Sequence, residues 1–277
     1  MIRKEIHNFG NTYVLSDNEI EKFDSLKVLF EEEESFILSL KRDFVLEVRE
    51  DLLILFVQMY LLRFAIPYYQ LTNNKFPDNS NVDFLRKVLF FCLIGRTIDD
   101  LVDSDSKMFK TYESILLFQK YYPRLTDLLS ANEKAKFDQY LFDSTKYKSP
   151  IIKEEELNFA DIKNDVFERI KYFFVEVENF PEQNCSILAD YTGILLGGLD
   201  VNDLVADGYL KNSSTVISNY VYDKYYNDEG KLLLDKTLLN FYNLINLLLE
   251  SESKNLIEHC EGNKLFYTAN ILKSITR

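Results

Sequence analysis

Apolar side chains recur at three- and four-residue intervals along most of this chain, and that period leaves room for little but helix. Residues 19–42 and 45–66 carry it with charges interspersed, and so do 132–147 and 154–179, the last weakened near Phe159. Turn-formers are correspondingly scarce: eight glycines and five prolines among 277 residues are too few for the many turns of an all-β protein. Where they cluster, they mark the breaks. "TNNKFPDNSN" reads as a loop, with Asp83 as the cap of a helix running to about Val102. "YESILLFQKYYPRLTDLL" resumes the helical pattern and is interrupted at Pro123. After a turn at Pro181, "CSILADYTGILLGG" is a helix with a weak point at Gly193 and an end at Gly197–Gly198. "STVISNYVYDKYYNDEG" has strand-like composition, but its polar residues fall at helical spacing, and two further helices finish the chain. With no internal repeat, linker or low-complexity tract, the expectation is one all-α domain over 1–277, with 1–50 as an N-terminal helical extension.

Composition narrows the function classes. At 47% apolar the chain is globular, not disordered. A net charge of −13 argues against a nucleic-acid surface, which needs concentrated Lys and Arg. Cys92, Cys185 and Cys260 are an odd set without metal-ligand spacing, as suits a reducing compartment. "MIRKEIHNFGN" lacks the apolar core of a signal peptide, and the longest apolar runs are too short or carry a charge. A cytoplasmic protein with no transmembrane segment is expected.

Against that background "RTIDDLVDSDSK", residues 96–107, stands out, because it follows the strongly apolar run "FLRKVLFFCLIG". On a helix Asp99 and Asp103 are one turn apart, with Asp100 three positions before Asp103, so the three carboxylates line one face. Mutually repelling acids at the end of a core helix want a cation. Mg²⁺ suits them: it takes oxygen ligands, keeps several waters and typically binds one or two carboxylates plus substrate phosphate oxygens. A solvated helix end is the plainer alternative. A second row, Asn219, Asp223 and Asn227 in "SNYVYDKYYNDEG", recurs every four residues and supplies oxygen ligands for the far side of such a cage, or else is an ordinary polar face.

Taken together, "RKVLFFCLIGRTIDDLVD" resembles the first aspartate-rich helix of the squalene/phytoene synthase family, in which an Arg precedes a DDxxD. "ADYTGILLGG" and "NDEGKLLLDKTLLNFY" are similar, more weakly, to the family's cavity-wall helix and to the stretch after its second aspartate motif. The resemblance covers roughly residues 50–277. It implies the class I isoprenoid synthase fold, a helical bundle with a central cavity. It also implies a cluster of up to three Mg²⁺ ions around the diphosphate of a prenyl substrate. By that resemblance Asp99, Asp100 and Asp103 would hold one side of the cluster, and Asn219, Asp223 and Asn227 the other. Asp99, Asp100, Asp103 and Asp223 are then the catalytic set, with Arg96 as a diphosphate contact or a partner of the acids. Arg169 and Lys171 are diphosphate-sensor candidates by location, and surface salt-bridging serves equally well for each. This chain departs from the family in three places. The Ser-x-Ser-Phe segment that helps hold a second prenyl diphosphate is missing from "LRFAIPYYQLTNNKF", Tyr222 stands where a basic residue is usual, and Asn227 replaces an Asp.

The chemistry implied is ionisation of an allylic diphosphate, with metals and cations stabilising the departing charge and aromatic faces sheltering the carbocation. Phe90, Phe91, Phe173, Phe174 and Tyr191, with Gly193 beside them, are candidates for the cavity wall, though aromatic stripes at helical spacing also simply fill cores. His7 and His259 have no nucleophile motif around them, and no glycine-rich phosphate loop is present. The expectation is a terpene synthase acting on one farnesyl or geranylgeranyl diphosphate. Head-to-head coupling of two prenyl chains and a non-catalytic relative of the fold are its rivals. The partner expected is the prenyl diphosphate substrate and not nucleic acid, with homodimerisation left open.

Overall fold

The computed structural model describes residues 5–8, 11–14, 17–44, 54, 57–102, 109–144, 159–177, 180–207 and 236–275. It gives the backbone alone at 5–8, 11–14, 17–19, 102, 144, 161, 162, 165, 169, 176, 177, 198–207 and 236–245. The described chain is almost entirely helical, as the periodicity requires. The N-terminal extension, expected to be helical throughout, begins instead with two short paired strands, β1 (Glu5–Asn8) and β2 (Asn11–Val14). By contacts the chain expected to be one domain sorts into two compact units, the first holding most of residues 1–130 and the second most of 131–277.

In the first unit, α1 (Asp17–Asp24) and α2 (Lys27–Asp43) divide the single helix expected over 19–42. The break falls at Ser25–Leu26, where the Leu26 N–H turns back to the Phe23 carbonyl at 2.9 Å. A π-helical turn, Leu61–Ala65, leads into α3 (Ile66–Asn73), so the helix expected to end at 66 continues through Pro67. Proline cannot donate to the carbonyl four residues back and crowds it, and a widened turn just before Pro67 is how a helix absorbs that conflict. Asn74 ends α3 in the left-handed region at φ 52°, its N–H on the Gln70 carbonyl at 2.8 Å. The loop that follows closes on a 3₁₀ turn, Asn79–Asn81. Asp78, not Asp83, is the capping residue: its carboxylate accepts from the Ser80 N–H at 2.8 Å while Asn81 reaches back to the Asp78 N–H at 3.1 Å.

Next comes α4 (Val82–Val102), and it packs most extensively on α5 (Thr111–Thr126). Pro123 does not interrupt α5. It sits in the last turn, where one lost hydrogen bond is offset by the burial of Tyr121 and Leu125 on either side. Leu85, Val88, Leu89, Leu93 and Ile94 of α4 are all buried, so its apolar face is committed to the core and its polar face is free to carry a site. Gly95 on that outer face has open space where a side chain would go. Gly95→Ala should therefore stabilise the protein by about 0.5–1 kcal/mol, the helix-propensity difference, read as a rise in thermal midpoint.

The second unit comprises α6 (Ala131–Ser144), α7 (Phe159–Lys171) with a π-helical end at Tyr172–Val177, α8 (Glu182–Asp207), α9 (Lys236–Gly262) and α10 (Phe266–Ile275). The α8 helix passes straight through Gly197–Gly198, where an end was expected. Gly193 and Gly197 lie one turn apart and both are buried, so packing on α7 and α9 outweighs their poor helix propensity. Phe137, Phe173, Phe174 and Tyr191 are each fully buried in this unit.

Candidate functional site

Helices disfavour acids at their C-terminal ends, where the exposed carbonyls already carry partial negative charge. Asp99 and Asp100 occupy that position on α4, with no basic residue in the last turn to answer them. Arg96, one turn back, supplies the charge. Its guanidinium bridges both acids, meeting the Asp99 carboxylate at 2.9 Å and pairing with Asp100 through its other terminal nitrogen. Burial works against the charge on Arg96, but the hydrogen bond to Asp100 and the two carboxylates outweigh it and raise its pKa. It stays a cation.

The two acids are not equivalent. Asp100 is 0% exposed, and both its oxygens are engaged: one with Arg96, the other accepting the Phe109 N–H at 3.0 Å. It thereby ties the end of α4 to the chain entering α5, with Phe109 itself buried. Asp99 is about one-third exposed, with its carboxylate in the Arg96 pair. As a magnesium ligand, then, Asp99 is the more accessible of the two, whereas Asp100 as placed is closed off from solvent with an internal donor on each oxygen. Among the described residues no group of three or more His, Cys, Asp or Glu is arranged to hold a metal ion. Asp103, Asn219, Asp223 and Asn227 lie outside the described residues, as does the side chain of Arg169.

Sequence reasoning missed one neighbour of this cluster. Tyr60, just ahead of the π-helical turn, lies within electrostatic reach of Cys92, Arg96, Asp99 and Asp100, and burial drives its hydroxyl far above the ordinary tyrosine range. No motif marks it, since only the packing of the π-turn on α4 brings it there. Cys92 is equally unreactive, burial pushing its thiol up to about 12. Phe91 is half-buried on α4, whereas Phe90 beside it is core.

The remaining candidates belong to the second unit. Lys171 pairs with Glu182 at 3.2 Å and lies 5.8 Å from the Phe167 ring centre, so a diphosphate would have to compete with that carboxylate. Tyr191 is fully buried and Gly193 is buried on the same helix. The structure thus brings Arg96, Asp99 and Asp100 together, and adds Tyr60. No family model, curated protein or solved structure matches this chain.

Proposed function

We propose that this chain is a Mg²⁺-dependent class I terpene synthase on a squalene/phytoene synthase-like helical scaffold. It ionises one farnesyl or geranylgeranyl diphosphate and cyclises or rearranges the cation. The observation that carries the reading is the pairing of Arg96 with a partly exposed Asp99 at the end of a helix whose other face is buried. A carboxylate held by an arginine at the rim of a helical core is the beginning of a diphosphate site. By the family resemblance Asp99 with Asp103, and Asn219, Asp223 and Asn227, would hold the ions, which when bound stabilise charge on the departing diphosphate. Arg96 fixes the Asp99 carboxylate and keeps positive charge beside it. Asp100 anchors the backbone leading to Phe109, so it positions the acidic end of α4 and is not counted among the ligands. Absence of the family's second-diphosphate segment favours one prenyl substrate over head-to-head coupling.

A second reading, a non-catalytic relative of the fold, is favoured by the engaged state of Asp100 and by the Lys171–Glu182 pair. One experiment separates the three. Diphosphate release from geranyl, farnesyl and geranylgeranyl diphosphates is followed with and without Mg²⁺, and extracts are weighed by mass spectrometry. Magnesium-dependent release that falls to background in an Asp99→Ala, Asp103→Ala variant, with a product of one prenyl chain, is the expected result. A product of two joined chains replaces the cyclase with a coupling enzyme. No release from folded protein leaves the scaffold reading.

A further inference from the structure

The apolar face of α2 is interrupted by an acid. Leu29, Phe30, Ile37 and Leu40 are buried along it, and so, at 0% exposure, is Glu33. Its partner comes from α5, where Arg124 grips both carboxylate oxygens at 2.6 and 2.7 Å. The Arg124 guanidinium lies 4.0 Å from the Phe36 ring centre and 4.5 Å from that of Phe90, between α2 and α4. Beside it is Tyr121, its ring centre 5.4 Å from the guanidinium and its hydroxyl buried with no hydrogen-bond partner among the described residues. That hydroxyl lies within electrostatic reach of Glu33 and is able to donate to its carboxyl or accept from it, which opens a second arrangement to the pair.

The surroundings supply that arrangement. Arg124 is 26% exposed and lines an open hollow of about 540 Å³ together with Val28, Glu31, Glu32, Ser35 and Phe36. Glu31 pairs there with exposed Lys27 at 3.4 Å, and Glu32 with Arg86 of α4; an exposed pair such as Lys27–Glu31 is weak and exchanges readily. We propose that Glu33, Tyr121 and Arg124 form a proton-operated switch between α2 and α5. With Glu33 ionised, Arg124 is drawn in between Phe36 and Phe90. With Glu33 protonated, its carboxyl turns to the Tyr121 hydroxyl and Arg124 moves out into the hollow beside Glu31 and Glu32.

The charged groups facing Glu33 are Glu32 on its own helix, Arg86 on α4, and Arg124 on α5, with Tyr121 the titratable hydroxyl. Burial is the largest influence and pushes the Glu33 carboxyl up. The Arg124 hydrogen bond and charge, and then Arg86, pull the other way, and Glu32 adds to the rise. Because the net shift is upward, Glu33 protonates in milder acid than exposed glutamates do.

The test is a carboxyl-carbon NMR titration of the full-length protein from about pH 4 to pH 8, with the Arg124 Nε–H followed in the same samples. The expected result is that Glu33 titrates above the exposed glutamates and that the Arg124 signal shifts and exchanges faster in the same step. Tyr121→Phe keeps the ring and removes the neutral-state partner, so it should lower the Glu33 midpoint by about half a unit to one unit. Glu33→Gln should hold Arg124 in the outward, fast-exchanging position at every pH. A Glu33 midpoint among the exposed glutamates, an Arg124 signal indifferent to it, or a midpoint unmoved by Tyr121→Phe would each overturn the switch.

Discussion

Arg124→Ala should destabilise the protein by about 3–5 kcal/mol at neutral pH, because it strands Glu33 as a buried, uncompensated carboxylate. Protonation sets a ceiling on the electrostatic part. Lifting a proton onto a carboxyl of ordinary value 4.5 at pH 7 costs about 3 kcal/mol, beyond which the group is simply neutral. Loss of the guanidinium from its contacts with Phe36 and Phe90 adds to that. The pH dependence follows from the sign of the shift. A carboxyl whose folded value lies above its unfolded one contributes its stability in full below the unfolded value, and loses it as pH rises through the folded value. Without Arg124, whose hydrogen bond and charge hold the Glu33 carboxyl down, that value rises further in the variant, so the Arg124→Ala penalty should shrink as pH falls from 7 toward 4.5, by at most about 1.4 kcal/mol per unit. Urea denaturation at two pH values measures this. Replacing both partners, Glu33→Leu with Arg124→Met, should recover most of the loss, since an apolar pair leaves no charge to neutralise. A penalty independent of pH would mean that packing, not charge, dominates at this site.

Much of this was readable in the sequence, for reasons that differ between elements. The α4 helix was legible to within a residue because its apolar stripe is long and an acidic segment follows it, whereas of α9 and α10 only the existence of two closing helices was legible. Breakers misled in both directions. Pro67, Pro123 and Gly197–Gly198 all lie inside helices, because a π-turn, a position in the last turn and a buried packing face respectively absorb what an isolated helix would not tolerate. Conversely, the break at Ser25–Leu26 contains neither glycine nor proline. The site shows the same limits. Arg96 was singled out by the family resemblance, as a diphosphate contact or a partner of the acids, and the structure pairs it with Asp99 and Asp100. The Phe109 N–H that distinguishes one acid from the other is a backbone group nine residues on, and spacing carries no trace of it. Glu33 left a visible mark, an acid inside an apolar stripe, but nothing in the sequence singled out Arg124 as its partner 91 positions away.

Asp100→Ala should destabilise the metal-free protein by about 2–4 kcal/mol. The buried Phe109 N–H loses its acceptor, which costs roughly 1–3 kcal/mol, while half-buried Arg96 keeps Asp99 and loses about 1 kcal/mol more. Asp99→Ala removes only the more exposed member of the cluster and should change stability by less than about 1 kcal/mol. If Asp100 served only to hold a metal, the sign would reverse. Deleting one of several repelling acids at a helix C-terminus relieves both mutual repulsion and the unfavourable interaction with the helix dipole, so the apo protein would gain stability. Thermal unfolding of the two variants in the presence of a chelator decides between these cases. The contrast also bears on catalysis. Should Asp99→Ala abolish diphosphate release while leaving the fold intact, and Asp100→Ala unfold the end of α4, the paired acids divide their labour: one faces the substrate, and the other holds the helix end that presents it.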